Sequence, residues 1–285
     1  MSIELIWGAK THLMGILNVT PDSFSGDGLA QPGRSEAEIV GAALEQARAF
    51  VDAGAEILDV GAESTRPASV YGEHPAVDER TELALAVPVV EALVREVGGR
   101  ALVSIDTSKG EVARGALEVG ARMVNDVWAA RRDPGTADAA ADHDAYLVLM
   151  HNKEQAVYPD GVLPEVIAWL RAAVDAAIRR GVRRERLLID PGIGFGKTSE
   201  HSLEVLRHLG ELKVALGGLP VLVGTSRKRF IGELLGGVPP SERVEGTAAT
   251  VSLAIAAGAD VVRVHDVAHI ARTVRVADEI VRGGR

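Results

Sequence analysis

The 285-residue sequence predicts an α/β fold, a single (β/α)8 barrel, on the strength of three observations. Eight short apolar runs, at 13–17, 55–60, 101–105, 122–124, 145–150, 187–189, 219–223 and 260–264, alternate with helical patterns. Most of the runs are rich in Val, Ile and Leu without strict alternation, as strands of a parallel sheet covered on both faces are. Each run leads into polar residues: Asn18; Glu63, Ser64, Thr65 and Arg66; Asp106; Asn125 and Asp126; His151; Asp190; Ser226, Arg227 and Lys228; and Arg263 with His265. A doubly wound sheet would gather its ligand mainly at one switch point, whereas a closed barrel turns eight polar strand ends into a ring.

Between the runs, helices are expected at 36–53, 79–97, 109–118, 136–142, 164–180, 199–209, 242–257 and 267–281. In the first, Ile39, Ala43, Ala47 and Phe50 recur at spacings of three and four and so share one stripe. Gly54, Gly120, Gly181 and Gly258 stand where helices should end, each followed by the Ala or Val that opens the next strand. Parallel strands need helical crossovers, and these repeat with short joints and no linker, so residues 1–285 read as one domain. Two joints exceed ordinary loops. Residues 20–35 carry Pro21, Gly26, Gly28, Pro32 and Gly33, and residues 63–77 carry Pro67, Gly72 and Pro75. Unstructured joints of about 12–15 residues in a compact domain are usually functional, lids above all. Both follow strands, which places them on the face where barrels do chemistry.

Composition removes several function classes. A net charge of −9 argues against a general affinity for nucleic acid or an anionic membrane. The absence of cysteine excludes disulfides, thiolate metal sites and a Cys nucleophile. The opening MSIELIWG lacks the charged and apolar regions of a signal peptide. The longest apolar stretch, 248–257, falls well short of the ~20 residues that span a bilayer, so a soluble cytoplasmic protein is expected. Three Asn, three Gln and many more Arg than Lys fit a warm habitat, and equally a GC-rich genome.

The polar strand ends carry the chemistry. Asn18 opens the string NVTPDSFS; its amide can ligate Mg²⁺ through oxygen or face an anion through N–H, although Asn here also serves as a turn former. Asp106 and Asn125, at the mouths of adjacent strands, can pair with the donor–acceptor edge of a heterocycle. Asp106 is also placed to cap the helix that Lys109 soon opens. The string DPGIGFGKT from Asp190 is not a nucleotide phosphate loop, because Pro191 occupies the position of the first obligatory glycine. Its alternating glycines either allow close backbone approach to a flat ligand beside Phe195 or simply make a tight turn.

Ser226, Arg227, Lys228 and Arg229 form a basic cluster on the catalytic face, before a short helical segment at 230–235 whose positive end would reinforce anion binding. The cluster of Arg179, Arg180, Arg183 and Arg184, by contrast, sits at a helix end and reads as a solvated face. Arg263 and His265 alternate to one side of the eighth strand and suggest a phosphate site, which barrels often build near strands seven and eight. No Ser-His-Asp spacing, HExxH motif or multi-His metal set occurs. Such a ring suits binding a polar heterocycle while stabilising a departing phosphate-type anion.

Taken together, these segments closely resemble the dihydropteroate synthases of folate biosynthesis. The resemblance rests on NVTPDSFS from Asn18, ESTRP from Glu63, SIDT from Ser104, Asn125 with Asp126, LMH from Leu149, DPGIGFGK from Asp190, SRK from Ser226 and RVHD from Arg263, in the family's order. Two departures stand out: Ile193 where Phe is frequent, and GDGL from Gly26 where the family reads DGG. The resemblance implies a barrel that condenses 6-hydroxymethyl-7,8-dihydropterin pyrophosphate with p-aminobenzoate, giving dihydropteroate and pyrophosphate, with Mg²⁺ as cofactor.

It further implies that Asp106, Asn125, Asp190 and Lys228 hold the pterin, and that Asn18, Thr65, Arg66, Arg263 and His265 hold the pyrophosphate, Asn18 reaching its Mg²⁺. Phe24, Pro67, Phe195 and Ser226 are implied around the p-aminobenzoate, where sulfonamides bind. Catalysis would fall to Asp106, Thr65, Arg66, Arg263 and His265, leaving His151 without a role. The partners implied are small molecules and a second copy of the chain in a homodimer joined through barrel helices. Two other readings stand beside this one: a pterin-binding methyltransferase, which would need a corrinoid partner and no pyrophosphate site, and a non-catalytic pterin-binding paralogue.

Overall fold

Buried on both faces, the apolar runs pair as parallel strands in chain order. The strands are β1 (His12–Asn18), β2 (Ile57–Gly61), β3 (Leu102–Asp106), β4 (Met123–Asp126), β5 (Tyr146–Met150), β6 (Leu187–Asp190), β7 (Leu222–Val223) and β8 (Val261–Val264). The computed structural model describes residues 4–20, 28–31, 33–63 and 77–283. Neighbouring strands follow the order β6-β5-β4-β3-β2-β1-β8-β7. A single parallel bridge, Ile189 opposite Val221, brings β6 to β7 and closes the barrel. The seventh strand is shorter than the run at 219–223 because Pro220 has no N–H for a ladder; its carbonyl instead accepts from the Ile189 N–H at 2.9 Å.

Around the barrel lie α1 (Glu36–Asp52), α2 (Glu79–Val97), α3 (Gly110–Glu118), α4 (Gly135–Asp142), α5 (Val162–Arg179), α6 (Ser199–Arg207), α7 (Leu209–Ala215), α8 (Arg229–Leu234), α9 (Val244–Ala256) and α10 (Val267–Arg282). Ser35 and Glu38 form a reciprocal capping box at the start of α1, and Ile39, Ala43 and Ala47 are its buried stripe. Gly54, Gly120, Gly181 and Gly258 follow their helices with φ between 95° and 108°. Two helices differ from expectation. The segment 199–209 breaks at His208, whose ψ of 22° ends α6 and starts α7. The segment 242–257 begins as a 3-10 turn, Pro240–Glu242, and becomes α-helical only after Arg243, whose guanidinium turns back onto the carbonyls of Val238 and Arg227. Among the described residues no helix is long and apolar enough to cross a membrane.

Inside the barrel the period of two sorts side chains by height. Met14, Ile57, Leu102, Met123, Tyr146, Leu188, Leu222 and Val261 fill the lower interior, with Leu5 and Val148 in the same cluster and Trp7 packed against it. Two residues further along, about 7 Å of rise, the same faces carry Asp59, Ser104, Asn125, Asp190 and Arg263. The interior is therefore an apolar plug with a polar layer on top.

Candidate active site

The polar layer centres on Arg263. Its Nε donates to Asp59 Oδ2 at 2.6 Å and Nη2 donates to Asp106 Oδ2 at 2.7 Å, while Asn125 Nδ2 donates to the same Asp59 oxygen at 2.9 Å. Strands β2, β3, β4 and β8 thus meet in one buried cluster. Two carboxylates face one guanidinium, and burial pushes the Asp106 carboxyl up against the pull of Arg263. In this layer Asp59 Oδ1, Asp106 Oδ1 and Ser104 Oγ are buried without a hydrogen-bond partner among the described residues. Unpaired acceptors and a hydroxyl in so closely packed a place are suited to hydrogen-bond a ligand.

Asp59 was not among the residues expected here. It lies inside an apolar run, ILDVG, and only its shared face with Ile57 and Gly61 signals that it enters the barrel. Asp106 does not cap α3, contrary to one expectation for it. The Gly110 N–H is taken by Asp133 Oδ2 at 2.5 Å, which leaves Asp106 to the barrel. Asp126, next to Asn125, points the other way: its carboxylate accepts from Trp128 N, Ala130 N and Thr136 Oγ1 at 2.7–2.8 Å and secures the loop after β4.

On the far side of the ring, Asp190 ends β6, with Oδ1 accepting from the Gly192 N–H at 2.7 Å. Burial pushes its carboxyl up to about 6, opposed by that hydrogen bond and by Lys228, Lys197 and Arg263. The glycine string that follows is packed against protein. Gly192 has φ 68°, and a Cβ there would lie 1.9 Å from the His151 carbonyl oxygen; at Gly196, with φ 52°, it would lie 2.2 Å from the Lys153 carbonyl. Lys228 extends from the loop after β7 to sit 3.9 Å over the Phe195 ring centroid.

The other cations of the basic cluster are engaged elsewhere. Arg227 forms a bidentate pair with Asp266 at 3.0 and 2.6 Å, and Arg229 pairs with Glu233 at 3.1 Å along a helix of only six residues. Arg263 and His265 do share a face, but different partners hold them. The buried Ser226 hydroxyl accepts the His265 N–H at 3.1 Å and meets its Nδ1 at 3.0 Å.

Asn18 closes the ring at the end of β1. It stands opposite Gly61, whose own neighbour across the sheet is Asp106. Its carbonyl accepts the Leu29 N–H at 2.9 Å, which ties that residue of the first long joint back to the end of β1. Phe24, Thr65, Arg66 and Pro67 lie outside the described residues. The ends of the second joint are described: Glu63 Oε1 accepts from Val77 N at 3.1 Å, Glu63 Oε2 pairs with Lys109 at 2.7 Å, and Lys109 also pairs with the buried Glu82. Among the described residues no group of three or more His, Asp or Glu could hold a metal ion.

A family model described as "Pterin binding enzyme" matches residues 14–265. The chain belongs to this family. Its relatives include the dihydropteroate synthase of Bacillus subtilis strain 168, 44% identical over 98% of this chain and 92% of the relative. The dihydropteroate synthase of Synechocystis is likewise 44% identical, over 97% and 92%. Among solved structures, dihydropteroate synthase from Clostridium difficile in the presence of pteroic acid superposes with a TM-score of 0.89, at 42% identity, covering 98% of this chain and all of that one. The enzyme from Xanthomonas albilineans in complex with 7,8-dihydropteroate gives 0.80 at 38% identity over 95% and 93%. The eight-stranded barrel is that of the pterin-binding enzymes, and the relatives named here are transferases.

Proposed function

We propose that the chain is a single catalytic unit that condenses 6-hydroxymethyl-7,8-dihydropterin pyrophosphate with p-aminobenzoate, releasing pyrophosphate. The observation that carries the reading is the unpaired Asp59 and Asp106 oxygens beside Asn125 and Arg263, a buried acceptor set that complements the N–H groups of a pterin. Asp106, Asn125, Asp190 and Lys228 hold the heterocycle, with Asp59 added to them. Arg263 belongs to both halves of the ring. Two of its nitrogens serve the carboxylates, while its third has no partner among the described residues and can meet pyrophosphate together with His265, Asn18, Thr65 and Arg66. Phe24, Pro67, Phe195 and Ser226 border the aminobenzoate.

The chemistry asks little of a base. The C–O bond breaks with its electron pair leaving on pyrophosphate, the neutral aniline nitrogen donates its lone pair to the methylene carbon, and that nitrogen then loses a proton to solvent water. We assign a dissociative, SN1-like order, in which the carboxylates near the pterin favour the developing positive charge and Arg263 and His265 favour the departing anion. Mg²⁺ fits the donor set as an ion that arrives with the substrate: one amide oxygen from Asn18 suffices when pyrophosphate and water supply the rest. When bound, it neutralises charge on the leaving group. We include cytoplasmic location in this reading, and a homodimer accords with the exposed Leu253, Val276 and Ile280 on the adjoining helices α9 and α10.

The deciding assay mixes protein, Mg²⁺ and pterin pyrophosphate with or without p-aminobenzoate and follows pyrophosphate and dihydropteroate. Aminobenzoate-dependent formation of both is expected. Neither product under any condition would identify a non-catalytic binder, and methyl transfer to a corrinoid protein would identify a methyltransferase. Crystals trapped with Mg²⁺ and pterin pyrophosphate should show C–O cleavage before amine attack; an intact ester under turnover conditions counts against the dissociative order.

A further inference from the structure

His151 follows β5 without touching the reacting groups, and Lys197 closes the glycine string without a carboxylate partner among the described residues. The two side chains meet in the interior, both nearly inaccessible, with Lys197 Nζ 2.7 Å from His151 Nδ1. The same ammonium donates to the carbonyls of Gly192 at 3.0 Å and Phe195 at 3.2 Å, so its three N–H groups have three acceptors. His151 must therefore present an unprotonated Nδ1. Burial and the adjacent Lys197 pull its imidazole down to about 2, consistent with that role. Trp169 packs edge-on to the ring at 5.0 Å and fixes its plane.

The acceptors of Lys197 lie in the loop that follows Asp190. Gly192 gives its N–H to Asp190 Oδ1 and its carbonyl to Lys197, so one residue joins carboxylate and ammonium. Tyr158 donates to the Gly196 carbonyl at 2.6 Å, and Ser202 accepts the Gly194 N–H at 3.2 Å, so the loop is anchored along its length. The charges that face Asp190 are Lys197 from this loop, Lys228 beyond β7 and Arg263 on β8; Lys153 and Lys228 face Lys197, and Arg131 and Lys153 face His151.

We propose that Lys197, seated on His151, is a positioning residue of the pterin site: it fixes the loop from Pro191 to Gly196 and keeps a positive charge behind Asp190, so that Asp190 meets the pterin as a carboxylate. The proposal rests on the reading that Asp190 binds the pterin. Burial lowers Lys197 itself to about 7, so its charge is present below neutrality, in the window where Asp190 would otherwise take up a proton. Neither side chain is placed in contact with substrate, so the effect is exerted through Asp190 and the loop.

The test measures binding of 6-hydroxymethylpterin by its fluorescence from pH 5 to 8, on the full chain and on K197Q, H151L, H151Q and D190N, with thermal melting of each. In K197Q, affinity at pH 6 should fall about fivefold and the acid midpoint of binding should rise by about one pH unit, the shift a nearby opposite charge produces. At pH 8, where Asp190 is a carboxylate in both proteins, the two pterin affinities should converge to within about twofold, a pH dependence that general loosening would not give. H151L, which keeps the lysine but removes its nitrogen acceptor, should move the midpoint the same way, and H151Q, which supplies an oxygen acceptor, should restore it. Folded K197Q with the wild-type midpoint overturns the proposal; if K197Q does not fold, the wild-type midpoint in H151L does so. D190N separates the two levels. Undiminished pterin binding in D190N refutes the role of Asp190 itself, whereas weakened binding there with an unmoved midpoint in K197Q refutes only the role of Lys197.

Discussion

Arg263 shows how much one buried side chain can organise. It spans 204 residues of sequence to Asp59 and 157 to Asp106, and removing it would strand both carboxylates. A charge-assisted hydrogen bond is worth about 1.5–3 kcal/mol, so R263A should lower turnover roughly ten- to a hundredfold in a steady-state pyrophosphate assay. An unchanged rate would remove Arg263 from the reaction. Acidity acts at the same scale. Asp190 and Asp126, each pushed up to about 6 by burial, bind a proton more readily in the folded chain than in the unfolded one. Their contribution to stability therefore grows, rather than fades, as pH falls through 6. Pterin binding needs the Asp190 carboxylate and should weaken over that same interval while the circular-dichroism melting temperature holds; simultaneous loss of fold and affinity would contradict this.

Among the elements, the joint after β2 depends on a buried ion cluster. Lys109, at the start of α3, pairs with Glu63 at the loop's beginning and with Glu82 of α2, and Glu82 is fully buried. K109M would leave that carboxylate unpaired at a cost of about 3 kcal/mol, seen as a lower melting temperature together with reduced turnover. Adding E82Q should recover part of the stability in a double-mutant cycle; strict additivity would mean the two residues act independently. None of this was legible in the sequence, where Lys109 marked only a helix start. The strands were legible because both of their faces are apolar, and the strand-end residues Asp106, Asn125 and Asp190 because a polar side chain abruptly interrupts such a run. Asp59 escaped because it sits within its run, where only the alternation of faces betrays it. The Lys197–His151 contact joins residues 46 apart, which no local pattern encodes. The break at His208 depends on one backbone angle between two apolar helical patterns.

The whole molecule is held at its beginning and its end. Asp278 on α10 takes both the backbone N–H and the hydroxyl of Thr11 at 2.7 Å, and Arg282 of the same helix reaches Asp278 at 3.0 Å and the Ala259 carbonyl at 2.6 Å. D278A should cost about 2 kcal/mol and lower the melting temperature without altering either KM, since the contact lies at the strand beginnings, opposite the chemistry. A raised KM would show that this end of the barrel communicates with the other.

The meeting of β6 and β7 is different in kind, because seven strand pairs are laddered whereas this one is a single bridge, Ile189 opposite Val221, with the Pro220 carbonyl accepting the Ile189 N–H. It is the zip most readily undone. Asp190 and Lys228 lie on opposite sides of it, so a pterin held by both would rivet the gap shut. Deuterium uptake at the Ile189 amide should slow when 6-hydroxymethylpterin binds, while uptake at Leu102, deep in the ladder between β2 and β3, should not change. Equal uptake at Ile189 with and without the pterin would mean that the gap is not bridged. On this view the substrate itself fastens the weakest seam of the barrel wall.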